Sequence, residues 1–315
     1  MNNLDKYLIT LNYPNRFIQK RTFLMLRRRT FLLLCKIPKN SLDLKYLVCY
    51  IVIYMAIKER RTKILLALYL LSGLPAEASA KAGVELSAVS LDEKTQKIFD
   101  LFLNQKTRGT LSGMLKEGVV EKAIGSDPPG GSDPYRLTEK GFAELCLEFP
   151  FFRFLKEKWD GKWRIISYEI PEKKREIRDR LRREMQGWGL GPWHRSFWLT
   201  PHPILPTLKL LTSQKEEEKY IQAFEADHTF GDREILIEKV WGKSSLDKSY
   251  RELFKKWHEI LSSGDEKVDK LRKVISEYVN LLRQDPGLPT ELVGESWIGF
   301  EGWNIFKEIK SILLS

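Results

Sequence analysis

The sequence has few of the residues that usually build disulfides, metal sites and nucleophilic catalytic sites. Its three cysteines, Cys35, Cys49 and Cys146, lack the paired spacing of a disulfide framework or a zinc site. None of its four histidines forms a pair at helical metal-binding spacing, and no Gly-rich phosphate loop or Ser-His-Asp signature occurs. No enzyme is recognisable by motif, so we expect no cofactor and no metal.

The chain also lacks an apolar run of the length that spans a membrane. The run YLVCYIVIYMAI (residues 46–57) is about 18 Å long as a helix, at roughly 1.5 Å per residue, whereas a bilayer core needs nearer 20 residues. KERR follows it, where a signal peptide has a small-residue cleavage site. We therefore interpret residues 1–54 either as an extension upstream of a true start at Met55, or as a membrane-surface or partner-binding arm.

Acidic residues are scarce only at the start of the chain. Residues 1–58 hold 11 Lys or Arg and 2 Asp or Glu, which accounts for most of the formal net charge of +11. The remaining residues carry 42 basic and 40 acidic side chains. Overall basicity is therefore weak support for a nucleic-acid partner. Evidence for such a partner has to come from local clusters of basic residues.

Residues 55–150 are predicted to form a winged helix-turn-helix DNA-binding domain. Three helices are expected, in 60–73, in SLDEKTQKIFDLFLNQ (90–105) with Ile98, Phe99 and Phe102 on one face, and in KTRGTLSGMLK (106–116). A Gly/Pro-rich loop, AIGSDPPGGSDP (123–134), then separates two short strands, and a last helix is capped at Thr138. Winged folds also serve as protein-binding modules, and that alternative stays open.

The third predicted helix carries the candidate DNA-binding residues. Leu111, Met114 and Leu115 form its inner face, and in a winged helix-turn-helix this helix enters the major groove. Gly109 and Gly113 could allow close approach to DNA or to a neighbouring helix, and we expect the second. The candidate DNA contacts are Lys106, Thr107, Arg108, Ser112 and Lys116.

Residues 151–232 are predicted to form a ferredoxin-like central domain. Strands are expected in KWRIISYEIP (162–171), SFWLTP (196–201) and YIQAFEAD (220–227), with helices between them. In the charged stretch at 168–188, an apolar stripe recurs at Ile177, Leu181, Met185 and Trp188. The charges are therefore interpreted as the solvated side of an amphipathic helix, in preference to a nucleic-acid surface.

Residues 233–315 are predicted to be a helical domain. Tyr250, Phe254, Trp257 and Leu261 recur at helical spacing, as do four apolar residues from Leu271 to Leu282. Trp297 and Trp303 are the candidate hydrophobic anchors for a dimer or an effector. An aromatic stripe is more often core, and this second interpretation is kept beside the first.

A family resemblance joins these parts. The segment WDGKWRIISYEIPEKKREIRDRLRREMQGWGLGPWHRSFWLTP resembles the central domain of the PaaX family, repressors of phenylacetate catabolism, and that domain is similar to the CRISPR-associated ferredoxin-like endoribonucleases. The resemblance continues through VWGKSSLDKSYRELFKKWHEIL and RQDPGLPTELVGESWIGFEGWNIFKEI. It implies a double-stranded DNA operator, a homodimer and an acyl-CoA-like effector.

The resemblance also defines the competing functions. In the CRISPR-associated nucleases a carboxylate that closes the first strand binds a metal, and Glu169 occupies that position here. We expect Glu169 to be a hydrogen-bonded strand-end acid near Arg164 or Arg195. The sequence therefore predicts an α+β protein that is a cytoplasmic DNA-binding repressor without catalytic chemistry. A metal-dependent nuclease and a winged-helix protein-interaction module are the alternatives.

Overall fold

The computed structural model describes residues 59–72, 87–123, 133–154, 158–213 and 215–315, and Arg60–Ser315 form one of the chain's two compact units. The predictions for residues 1–54, for a start at Met55 and for most of the Gly/Pro-rich loop lie outside these ranges. Helices and two antiparallel sheets within them confirm the α+β class. The division into domains at residues 54, 150 and 232 stays a prediction. No helix in the described ranges is long and apolar enough to cross a membrane.

The first part, called here the small-sheet region (residues 59–154), contains a three-stranded antiparallel sheet of order β1-β3-β2. Its elements are α1 (59–71), β1 (Val89–Ser90), α2 (Glu93–Phe99), α3 (Gln105–Lys116), β2 (Val120–Lys122), β3 (Pro134–Leu137), α4 (Glu139–Glu148) and α5 (Pro150–Phe154). The Thr138 hydroxyl caps α4 by accepting the Gly141 N–H, at the position that the sequence predicts.

Two details of this region differ from the sequence prediction. The second helix ends at Phe99, because Asp100 adopts a left-handed conformation and its N–H donates to the Gln96 carbonyl. Phe102 consequently lies outside the helix and is 67% exposed, so its placement on the apolar face was wrong. A short strand, β1, also lies between α1 and α2 and pairs with β3. Two residues are too few to show an alternating pattern.

The second part, the large-sheet region (residues 158–227), follows the order β-α-β-β-α-β that is typical of ferredoxin-like domains. Its strands pair antiparallel in the order β5-β6-β4-β7. The elements are β4 (Lys162–Tyr168), α6 (Arg175–Gly187), β5 (Gly191–His194), β6 (Phe197–Thr200), α7 (Leu205–Thr212) and β7 (Ile221–Asp227), with 3-10 turns at Glu172–Lys174 and Glu216–Tyr220.

The apolar stripe of α6 packs on this sheet as predicted. Leu181 and Met185 are fully buried, in one cluster with Ile166 and Trp198 of the strands. The basic side chains largely pair with nearby acids; Arg178, for example, lies 2.7 Å from Glu172. The solvated face predicted for the charged stretch is therefore present.

Strand β5 was not predicted, because it begins with Gly-Pro and shows no alternation. Gly191 is required there by close packing: a Cβ atom at this position would lie 2.1 Å from Val240 and 2.8 Å from Trp241. The indole of Trp241 also donates to the Gly189 carbonyl. The helix that contains Val240 and Trp241 (α8, Arg233–Trp241) thus rests directly on the backbone of β5.

The remaining chain is helical: α8 (Arg233–Trp241), α9 (Lys243–Ser262), α10 (Lys267–Leu282), α11 (Thr290–Val293) and α12 (Ile298–Leu314). These C-terminal helices share an aromatic core with the small-sheet region, since Trp303 lies 6.4 Å from Tyr69 and 5.7 Å from Phe152 between ring centroids. Lys310 of α12 donates to the carbonyl of Leu70 at the end of α1. The two regions are therefore packed together.

Candidate nucleic-acid interface

Helix α3 is defined at both ends by local interactions. At its start, the Asn104 carboxamide oxygen accepts the Thr107 N–H at 3.0 Å, which satisfies one of the otherwise unpaired donors of the first turn. At its end, Gly118 has a φ of +66°, a left-handed conformation that glycine adopts without a Cβ clash. The helix therefore has a capped start and a sharp stop.

Helix α3 has a buried face and an exposed face, and most of the predicted DNA contacts lie on the exposed one. Leu111 and Met114 are buried at 6% and 0% exposure, as the spacing predicts, and Leu115 packs at the edge of the same core. The side chains of Lys106, Arg108, Ser112 and Lys116 are exposed. Four of the five candidate DNA contacts thus share the solvent side of the helix.

Thr107 does not belong to that side. It is 2% exposed, and both its N–H and its hydroxyl donate to the Asn104 side chain, at 3.0 and 3.3 Å. Its place in the DNA-contacting set is therefore corrected: Thr107 lies on the inner face and stabilises the first turn. The sequence-based prediction missed Asn104 as the N-cap of α3. The signal for it is an amide side chain directly before the helical pattern, where such residues cap helices.

The exposed cations of α3 are available to an external anion. The helix contains Lys106, Arg108 and Lys116 and no acidic side chain. Among the described residues, the Lys106 and Lys116 ammonium groups have no hydrogen-bond or ion-pair partner. The Arg108 Nε donates to the Leu103 carbonyl at 3.0 Å, which holds the guanidinium beside the turn before the helix.

Gly109 and Gly113 lie on the open part of α3. A Cβ atom built at either position meets no atom within 4 Å beyond the helix's own backbone and the chain neighbours. Within the described residues no neighbouring helix therefore approaches this surface, and our expectation of helix-helix contact here was wrong. The backbone of α3 is accessible to an outside partner between Arg108 and Lys116.

Ion pairs attach the C-terminal end of α3 to the rest of the small-sheet region. Arg61 of α1 contacts Glu144 of α4 and lies 2.7 Å from the carboxylate of Glu117, which ends α3. The hydrogen bond from Arg61 lowers the pKa of Glu117, and Lys140 donates to the Glu117 carbonyl at 2.8 Å. The negative end of α3 is thereby neutralised and held in place.

The charged side chains on and next to the two longer strands of the small sheet pair with one another. Lys122 contacts Asp133, and the Arg136 Nε lies 2.7 Å from Glu121. These cations are already neutralised by neighbours, whereas those of α3 are not. Of the basic side chains on α3, β2 and β3, those of α3 are therefore the ones that lack a nearby carboxylate among the described residues.

Glu169, the residue considered for a nuclease site, lies in the loop after β4. It is exposed, and its backbone N–H donates to the Tyr220 carbonyl at 3.1 Å. Arg164 pairs with Asp160 and Glu225. Among the described residues neither Arg164 nor Arg195 pairs with the Glu169 side chain, so the expected contact with one of these two arginines was wrong. Within the described ranges, no group of three or more His, Cys, Asp or Glu side chains gathers as metal ligands would.

Trp297 and Trp303 lie in the core and do not form a surface anchor. They are 6% and 8% exposed, and Trp303 packs against Phe306 at 5.8 Å and Phe151 at 6.4 Å between ring centroids. Trp297 packs against Tyr250 at 6.2 Å. The structure therefore supports the core interpretation of the aromatic stripe.

Comparisons with known proteins match two consecutive parts of the chain to one family. Residues 156–235 match the model described as the PaaX protein central Cas2-like domain, and residues 241–315 match the PaaX-like protein C-terminal domain. No curated protein matches the chain significantly. Among solved structures, the uncharacterized protein Rv0674 from Mycobacterium tuberculosis is 19% identical, with 80% of this chain and 94% of that chain covered and a TM-score of 0.48.

Proposed function

This chain belongs to the PaaX family and carries a Cas2-like central domain, and from that premise we propose that it is a DNA-binding transcriptional regulator. The observation that carries the proposal is the exposed face of α3, which has three basic side chains, no acidic one and an uncovered stretch of backbone. Such a face suits a polyanion, because phosphate neutralisation dominates protein–DNA affinity.

The arrangement around α3 supports a winged helix-turn-helix. A helix, a short strand, two helices joined by a tight turn and a two-stranded hairpin follow one another, and the sheet order is β1-β3-β2. In winged helix-turn-helix proteins the second helix of the turn enters the major groove, as we propose for α3. The Gly/Pro-rich loop between β2 and β3 is then the wing.

The positions along α3 suggest different roles for its cations. Arg108 lies near the N-terminal end, held beside the turn by Leu103, where a guanidinium can form paired hydrogen bonds to a guanine edge. Lys116 lies in the last turn, where a flexible ammonium suits a phosphate. Gly109 and Gly113 let the helix backbone approach the groove.

Membership of the family also suggests a mode of regulation, an oligomeric state and an effector, and we include these in the proposal. The protein is a repressor that binds its operator as a homodimer and responds to an acyl-CoA-like effector, in the cytoplasm. Glu169 has no catalytic role in this proposal. The nuclease alternative would need a carboxylate from a second chain, because a divalent cation held by one carboxylate per chain is weakly bound.

The test uses DNA fragments selected from a random library by the purified full-length protein. Arg108→Ala is expected to cost about 1–3 kcal/mol on the preferred site and to relax base preference at one position. Lys116→Ala should weaken binding to all sequences alike and make the slope of log affinity against log salt shallower by about one. Both variants should melt like the wild type, because neither side chain is in the core.

Glu169→Gln provides the matched control for the nuclease alternative. It should bind the selected DNA as the wild type does, and neither protein should cleave RNA or DNA when Mg²⁺ or Mn²⁺ is added. Metal-dependent cleavage that this substitution abolishes would overturn the proposal in favour of a nuclease. If the Arg108→Ala/Lys116→Ala protein binds as tightly as the wild type at every salt concentration, α3 does not read DNA, and a protein-interaction module becomes the better interpretation.

A further inference from the structure

The turn that leads into α3 contains a backbone conformation that non-glycine residues rarely adopt. Asp100 has φ 48° and ψ 45°, in the left-handed region, where a Cβ atom is crowded by the following carbonyl. Asp and Asn tolerate this region better than other side chains, because they are short and hydrogen-bond locally. A residue held in this region at the entry to a recognition helix calls for a physical reason.

Asp100 is contacted by elements on both sides of the turn. Lys63 of α1 donates to the Asp100 backbone carbonyl at 3.3 Å. Arg272 of α10, which is far along the chain, lies 3.3 Å from the Asp100 carboxylate. The other terminal nitrogen of Arg272 lies 3.5 Å from Asp269, one turn earlier on α10, which orients the guanidinium.

A second set of ion pairs joins α2 to α10. The ammonium of Lys97, in the last turn of α2, lies 3.3 Å from Glu266 and 3.4 Å from Asp269 at the start of α10. Beside these contacts, Ile98 and Leu271 belong to one buried cluster. We call this contact, formed by Lys97, Asp100, Glu266, Asp269 and Arg272, the α2–α10 contact.

The turn between Asp100 and α3 is short and internally bonded. The Gln96 side chain accepts the Leu103 N–H at 3.1 Å, and the Asn104 N–H donates to the Phe102 carbonyl at 2.8 Å. Because α3 starts at Gln105, a rotation about the backbone of Asp100 would be carried directly to the helix. The orientation of α3 thus depends in part on what holds Asp100, beside the Arg61–Glu117 contact at the other end of the helix.

We propose that Arg272 is a positioning residue for DNA recognition: by binding Asp100 it sets the angle between α2 and α3 from the C-terminal helices. This inference rests on the proposed function of α3. Exposed ion pairs contribute little to overall stability, so we expect loss of this contact to leave the melting temperature near the wild-type value and to change the direction of α3. The contact is also weakened by salt, because its charges are within reach of solvent.

The experiment compares Asp100→Asn, Arg272→Gln and the double variant of the full-length protein. Asparagine tolerates the left-handed conformation, so the first change removes the charge and leaves the turn possible. Each single variant should bind the selected DNA about two- to fivefold more weakly, and the double variant no more weakly than either, because the two residues act through one contact. Arg272→Lys should restore part of the affinity.

Arg251→Gln is the matched control. It makes the same change in an exposed arginine whose partner, Asp247, lies 2.7 Å away on α9 itself. DNA affinity should stay at the wild-type value in this variant. Without DNA, the amide hydrogens of residues 100–116 should exchange faster in Asp100→Asn and Arg272→Gln, and at the wild-type rate in Arg251→Gln.

The two readouts separate this inference from the proposed function. If the wild type binds no DNA, the proposed function fails, while faster exchange in the Arg272→Gln protein still supports the positioning role. Wild-type exchange and wild-type affinity in both single variants would overturn it. Additive losses in the double variant, or an equal loss in Arg251→Gln, would overturn it as well.

Discussion

Replacing Gly109 and Gly113 with alanine should change fold stability and DNA affinity in opposite directions. Both glycines lie inside α3, where alanine is the better helix former by about 0.5–1 kcal/mol per position. Neither added Cβ meets an atom within 4 Å, so no clash offsets the gain. The double variant should therefore be about 1–2 kcal/mol more stable, which raises the melting temperature by roughly 1.5–3 °C for a protein of this size.

The loss in DNA binding follows from the same geometry. If the backbone between Arg108 and Lys116 lies against the groove, each new methyl group occupies space that the partner fills. Forcing extra methyl groups into a packed contact costs about 1–3 kcal/mol, or roughly a 5- to 150-fold loss in affinity. The assay is thermal melting of each protein without DNA, followed by titration of the selected DNA fragment at fixed salt.

Gly187→Ala is the control, because Gly187 also lies in a helix, α6, and an added Cβ there meets nothing within 4 Å. It should bind DNA like the wild type. A double variant at Gly109 and Gly113 that is more stable and still binds with wild-type affinity would refute close approach through this face. A double variant that melts lower than the wild type would show that the glycines are required by the fold.

Two further predictions concern the buried acid of the C-terminal helices. Tyr250→Phe should lower the free energy of unfolding by about 1–3 kcal/mol in chemical denaturation, because it removes the hydroxyl that donates to Asp285 at 2.5 Å; Tyr278→Phe should be close to neutral, since that hydroxyl has no partner among the described residues. Equal losses in the two variants would contradict this account. Burial raises the pKa of Asp285 above its usual value of 3.8, so its contribution to stability is fully present below that pH and is lost as pH rises through the folded pKa. Denaturation midpoints from about pH 4 upward should therefore fall for the wild type relative to Asp285→Asn; parallel curves would count against a raised pKa.

Regular helices and the central strands could be predicted from the sequence because their patterns are local. Leu181 and Met185 recur on one side of α6, and the structure buries both completely. The inner face of α3 follows the same rule, with Leu111 and Met114 buried. Periodicity identifies such faces because each side chain's direction depends only on its own backbone.

The candidate site was predicted only in part. Spacing places Lys106, Arg108 and Lys116 on the outside of α3, and it also places Thr107 on the buried face, four residues before Leu111. The sequence prediction counted Thr107 among the DNA contacts because it judged the residue by its polar side chain and not by its helical position. Local spacing cannot show whether a glycine face is covered. That depends on which other helix packs nearby, and at Gly109 none of the described residues does.

The sequence by itself determined the α+β class, the amphipathic helices and the family, because these depend on residue order and local periodicity. Only the tertiary structure decided that Trp303 packs into a core shared with Tyr69, and that Arg272 reaches Asp100. Both contacts join residues more than 170 positions apart in the chain. The physical reason is that such pairs form through the packing of whole helices, which no local pattern encodes.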